Sequence, residues 1–112
     1  MTAPVLNRKL TLEEPVRVPD GAGGFTQSWQ VLGELWAEVK PGTGRERAAG
    51  FATVSSVAFR ITVRAAPDGA PSRPKPDQRF VAGSRIFRIL AVTEADHGAQ
   101  YLTCFAQEEV SA

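Results

Sequence analysis

Cysteine, histidine and tyrosine occur once each in this chain, and the scarcity of the first two removes whole classes of chemistry. A lone cysteine, Cys104, cannot close an intrachain disulfide, and its place in an apolar run reads as a small buried thiol. With one Cys and one His, the usual soft-ligand sets for a metal cannot be assembled, and no cofactor is expected. His97 falls in the turn-like stretch Ala95-Asp96-His97-Gly98, where an exposed turn residue is a simpler account than a general base. An excess of one charge is also missing. Thirteen Lys+Arg stand against 12 Asp+Glu, a formal net charge of +1, without the basic surplus that gripping nucleic acid through phosphates requires. Local basic patches remain open to the chain. No run is long enough to cross a membrane, and residues 1–10 lack an apolar signal core, so no membrane association is expected and the chain is placed in the cytosol or in something assembled there.

Catalytic groups are no better represented. The pairs Glu13-Glu14 and Glu108-Glu109 are adjacent residues, which point to opposite faces of a strand; they read as solvated charge. Asp20-Gly21-Ala22-Gly23-Gly24 lacks the Gly-Lys-Ser/Thr ending of a phosphate loop and leads into a strand pattern, so it reads as a hairpin turn. Pro71 to Pro74 fits P-x-x-P beside Arg73, a weak signal that reads as a rigid crossover far more readily than as an SH3 ligand. No catalytic residue is assigned, and the chain is not expected to be an enzyme.

What is abundant is turn chemistry and strand patterning: 10 Gly and 8 Pro punctuate many short apolar runs. At 112 residues the chain makes one domain, over 1–112, with a single core. The fold class expected is all-β: a small antiparallel barrel or sandwich with one long mobile loop. Leu6 to Leu12 is a first strand or arm, and Val16 to Val18 sits between Pro15 and Pro19, as an edge would. Phe25 to Val31 alternates after the glycines and completes a hairpin. Leu32 to Lys40 fits a helical stripe or a strand face, and its neighbours favour the strand.

Val57 to Ala65 alternates cleanly, with Val57, Phe59, Ile61, Val63 and Ala65 inward and Arg60 and Arg64 outward. Arg85 to Val92 is apolar on both faces and reads as a central strand, with Phe80 to Ala82 before it and Tyr101 to Ala106 after it. The expected core is Phe59, Ile61, Val63, Phe87, Ile89, Leu90 and Phe105, and Trp29 and Trp36 are expected to be core more readily than recognition residues. Residues 66–77 hold four prolines and read as a stiff, extended linker.

Two features are left for function. Arg60 and Arg64, with Arg85 and Arg88, are candidates for a basic outer face that pairs with a neighbour's acids or binds single strands. The second is the loop 42–56. It joins three glycines to the charged cluster Arg45-Glu46-Arg47 and to Phe51, an aromatic that a solvent loop has little need of. This segment is expected to order against a partner, with Arg45 and Arg47 able to meet DNA phosphates.

Taken in order, Leu6-x-Arg8, Pro15-Val16-Arg17, Asp20 to Gly24 with Trp29, and Leu35-Trp36-Ala37-Glu38-Val39 with Gly44-Arg45-Glu46 resemble the phage head–tail joining proteins, also called adaptors or stoppers. Phe59 to Arg64, Arg85 to Val92 and Tyr101-Leu102 with Glu108-Glu109 continue the resemblance along nearly the whole chain. Ala66 to Pro74 and Leu102-Thr103-Cys104 look most like the version carried by gene transfer agents. The resemblance implies a small β-barrel in a homo-oligomeric ring, a hexamer ahead of a dodecamer. It further implies a place in the particle neck between portal–adaptor ring and tail terminator, with double-stranded DNA passing through the channel. Such proteins are assembled in the bacterial cytoplasm, retain packaged DNA and dock the tail. The competing reading is a monomeric, OB-like barrel binding single-stranded nucleic acid through Arg60, Arg64 and nearby aromatics.

Overall fold

The computed structural model describes residues 3–42, 56–95 and 100–109. The expected loop, with Arg45, Glu46, Arg47 and Phe51, and the turn holding His97 lie outside them. Six strands are described: β1 (Arg8–Pro19), β2 (Phe25–Pro41), β3 (Ser56–Arg64), β4 (Arg79–Ala82), β5 (Arg85–Glu94) and β6 (Tyr101–Glu109). Every neighbouring pair is antiparallel, and the order β1-β2-β3-β6-β5-β4 closes on itself as a barrel when β4 pairs with β1.

The interior follows the period-2 rule on each strand. Leu10 and Leu12, Ala37, Ile61 and Val63, Phe80, Phe87 and Ile89, and Leu102, Cys104 and Ala106 are buried and form one core. Phe80 and Phe87 are cross-strand partners, and Phe59 meets Phe87 edge-on with ring centroids 5.3 Å apart, a favoured aromatic geometry.

Two members of the expected core point outward. Leu90 is 50% exposed: it follows inward-facing Ile89 in the strand's alternation, and the β5–β6 register shifts at this point, between Ile89 and Ala91. This bulge inserts Leu90 as an extra residue, so Phe87 and Ile89 face inward before it and Val92 faces the core after it. A strand that reads as apolar on both faces is here one strand whose inward phase changes. Phe105 is only half-buried and alternates with Cys104 and Ala106, which do face in. Phe59, Phe80 and Phe87 already fill a small barrel, so β6, which lies between the strands of Phe59 and Phe87, turns the small Cys104 and Ala106 inward beside them. Val57, also expected inward, is 43% exposed; it is the second residue of β3, at the end of the strand.

Cys104 is the buried thiol that its apolar run suggests. Burial pushes its pKa up to about 12, opposed by the charge of Arg73. The reactive thiolate is therefore scarce at neutral pH. A disulfide reagent at pH 7.5 is expected to leave the native protein unlabelled and to label it once denatured.

The proline-rich segment 66–77 is not extended. It folds into successive turns closed by Ala70 N–H to Pro67 C=O (3.0 Å), Arg73 N–H to Ala70 C=O (3.0 Å) and Gln78 N–H to Lys75 C=O (3.2 Å). Arg73 staples it, donating to the Ala66 carbonyl at 2.9 Å and pairing with Asp68 at 3.2 Å. Pro74 is fully buried and Gln78 nearly so. Prolines that fix φ suit tight turns as well as extended chain, and buried surface decides between them.

Candidate functional site

Beyond Glu13, β1 pairs with β2 alone, because β4 reaches it only at Thr11, Leu12 and Glu13. On the other side β2 meets β3 only from Ala37 to Pro41. The remainder of the two strands is a two-stranded arm leaving the barrel, the hairpin that the glycine-rich turn foretells. Its tip is held by Asp20, whose Oδ1 accepts from Ala22 N–H at 2.8 Å and Gly24 N–H at 3.0 Å. Gly21 (φ 82°) and Gly23 (φ 88°) supply the left-handed backbone this turn needs. Those backbone hydrogen bonds hold the Asp20 carboxyl below its ordinary pKa.

Where the arm leaves the barrel, Pro15, Arg17, Gln27 and Trp29 face Asp77, Arg79, Arg88 and Glu109 across a cleft of about 620 Å³. Arg79 organises it. Its guanidinium lies 4.0 Å from the Trp29 ring centroid, and its Nε donates to Glu13 at 2.7 Å, with both side chains largely buried. Glu13 is thus no solvated charge. It fixes the arginine that braces the arm, a cation–π contact of a favourable kind. Arg88 stands on the same wall, exposed, 3.7 Å from Asp77.

A second surface lies on the outer wall across β1, β2, β3 and β6. Trp36, 55% exposed, has Lys9 Nζ 5.9 Å from its ring centroid and shares a shallow hollow with Leu6 and Arg64. Arg64 in turn lies 5.9 Å from the Tyr101 ring centroid. Arg60 is exposed on the same strand, opposite Lys40 on one side and Phe105 on the other.

Of the arginines expected on one basic face, Arg60, Arg64 and Arg88 are outside and exposed, but Arg60 and Arg64 share the outer wall of β3 while Arg88 stands in the arm cleft. Arg85 leaves the group. It shares the inward parity of Phe87 and makes a bidentate pair with Glu108, Nε to Oε2 at 2.7 Å and Nη2 to Oε1 at 3.0 Å. It also lies 4.9 Å from the Phe87 ring and 5.7 Å from that of Phe59. Hydrogen bonding to Glu108 raises the Arg85 pKa, and the same bond depresses that of Glu108 against the opposing effect of burial. Neither tryptophan belongs to the core, contrary to the expectation from their size. The signal for Trp29 was present in the prolines at positions 15 and 19. They mark β1 as an edge, and what pairs with an edge outside a barrel cannot be interior. Among the described residues no group of three or more His, Cys, Asp or Glu side chains stands close enough to hold a metal ion.

The chain is a closed antiparallel barrel that carries a braced arm and two exposed surfaces rich in arginine and aromatics. It belongs to the phage head completion protein family, whose model matches residues 1–109. It is similar to a solved chain from the virion of a native gene transfer agent (GTA) particle, at 62% identity and a TM-score of 0.82, covering 98% of this chain and 100% of that one. Protein SF1141 from Shigella flexneri 2a, in its solution structure, has the same fold at 19% identity and a TM-score of 0.70, with both chains covered completely. No curated protein matches the chain.

Proposed function

We propose that this chain is a structural neck protein of a tailed, phage-like particle. In this reading it forms a ring between the portal–adaptor and the tail terminator, helps retain packaged DNA and docks the tail. The observation that carries the reading is the 62% identity, over nearly the whole of both chains, to a component of a gene transfer agent virion. Its membership of the head completion family supports it.

The physical fit is with assembly. Ring interfaces repeat head to tail and need two different surfaces on one chain, and we assign that role to the arm cleft, which sets Asp77 and Glu109 among its arginines, and to the Trp36 wall. Exposed tryptophan and arginine are the side chains that dominate interface energies. Arg60, Arg64 and Arg88 are assigned to contacts with neighbouring subunits, and residues 42–56, with Arg45, Glu46, Arg47 and Phe51, to a partner or to the DNA channel. The single-strand-binding alternative loses ground on fold: among the described residues the sheet has six strands, all antiparallel neighbours, where the OB-fold has five.

Imaging particles made with and without the gene tests the proposal. With it, the neck should show a ring of symmetry-related densities into which the barrel and arm fit. Without it, heads should lose DNA or stay tailless, and the intact gene supplied in trans should restore them. Tailed, DNA-filled, transfer-competent particles assembled without the protein would overturn the reading.

A further inference from the structure

The arm's two edges are unlike. On β1 the outer edge carries Pro15 and Pro19, and a proline in a ladder has to turn its missing N–H away from the neighbouring strand. Arg17 shares their parity, so this edge offers one N–H where an unbroken strand would offer three. It is a blunted edge of the kind that resists pairing. The pairing Pro15↔Trp29, Arg17↔Gln27 and Pro19↔Phe25 then fixes the other edge. Phe25, Gln27, Trp29 and Val31 must present their N–H and C=O groups outward on the far side of β2.

That far edge has no such protection. Residues 21–33 contain no charged side chain and no proline, and among the described residues no strand pairs with the β2 edge before Ala37. Phe25 and Val31 are 57% and 58% exposed. A long, uncharged edge carrying exposed apolar side chains is the arrangement that natural sheets avoid unless something covers it.

We propose that the β2 edge of a second copy of this chain covers it, in a two-fold antiparallel pairing centred on Ser28. The sequence is self-complementary in this register. Phe25 falls opposite Val31 of the other copy, Gln27 opposite Trp29, Thr26 opposite Gln30, and Ser28 opposite itself. The outward-facing groups at 25, 27, 29 and 31 meet their counterparts as hydrogen-bonded pairs, about eight backbone bonds in all. One face of the seam pairs the two exposed apolar residues, and the other pairs hydroxyl and amide side chains that can bond to one another. Shifting the register by two residues in one direction puts Val31 against Gly23, and in the other puts Phe25 against Gly33. Only the Ser28-centred register matches both apolar residues. The absence of charge that leaves the edge unguarded also leaves two copies nothing to repel.

The pairing concerns the free chain and does not depend on the neck assignment. Sedimentation of the purified full-length protein, at concentrations rising toward the millimolar range, should show a reversible dimer. Gln27→Pro removes an outward N–H from each copy and leaves the β1–β2 ladder intact, while Ser28→Lys sets like charges directly opposite at the two-fold. Each should weaken association about tenfold or more with no loss of the folded circular dichroism spectrum. Ser28→Cys should link rapidly into a covalent dimer under mild oxidation, since residues in a non-hydrogen-bonded antiparallel pair stand about 4.5 Å apart at Cα. Gln30→Cys should not, and buried Cys104 does not compete. A protein monomeric at every concentration, or a dimer indifferent to both Gln27→Pro and Ser28→Lys, would overturn the pairing. Either result would leave the neck reading standing, because that is decided in particles.

Discussion

Phe87→Ala is expected to destabilise the protein by about 3–5 kcal/mol, the range for removing a fully buried phenylalanine. Phe87 has no solvent exposure and touches three partners of different kinds. Phe80 faces it across the β4–β5 ladder, Phe59 meets its ring edge-on, and the Arg85 guanidinium lies 4.9 Å from it. The cavity cannot close easily, because the wall around it is a ring of hydrogen-bonded strands that has no free edge to move inward. For a domain of this size the loss is a large part of total stability, and it should lower the melting temperature by at least about 10 °C. Leu90→Ala is the control. Leu90 is equally apolar and only three residues away, but it sits on the bulge, half exposed, so its truncation should cost less than about 1 kcal/mol. Urea titration of the two variants beside the parent checks both figures. Equal losses at the two positions would mean that the bulge and the strand phase described here are wrong.

The contrast between Phe87 and Leu90 also shows what the sequence could and could not disclose. Strands with uniform alternation, such as Ile61 to Val63, were readable because each inward position is apolar and each outward one polar. The hairpin around Asp20 was readable because its glycines answer to a backbone requirement. A bulge leaves no such mark. It shifts the phase of a strand without changing its composition, so nothing local shows that Val92 and not Ala91 faces the core, and with apolar residues on both faces Leu90 reads as core until the partner strand is in view. Phe105 misleads for another reason, since volume in a barrel is shared among all strands and only the whole set shows which phenylalanines fit.

At the candidate site, the outward positions of Arg60 and Arg64 followed from strand parity; that of Arg88 did not, because Leu90 shares its parity and reads as core. The separation of Arg88 from the other two was equally hidden, because it depends on which strands are neighbours. The two ion pairs were missed for the same reason. Glu13 and Arg79 are 66 residues apart and Arg85 and Glu108 are 23 apart, so no local pattern links them.

Acid is expected to weaken the protein through the second of those pairs. Arg85 holds Glu108 by two hydrogen bonds, at a place where the Glu108 side chain retains 17% of its exposure and that of Arg85 retains 40%. The bond from Arg85 lowers the Glu108 pKa, and its positive charge adds to the effect against the burial that opposes it. A carboxylate whose folded pKa lies below its unfolded value, about 4.3 for glutamate, binds its proton less readily when folded. Its stabilisation is therefore complete above the unfolded value and is lost as pH falls through the folded one. Arg85 stays charged throughout, so the change belongs to Glu108 alone. Allowing for solvent screening of a partly exposed arginine, the pair contributes about 1 kcal/mol at neutral pH. Glu108→Gln keeps the shape and one acceptor but gives up the charge. The variant should be less stable than the parent by about that amount at pH 7, with the gap closing steadily below about pH 4.3. Urea midpoints of parent and variant between pH 7 and pH 3 read this directly. A gap that stayed constant across that range would show that Glu108 acts through packing and that its charge contributes nothing.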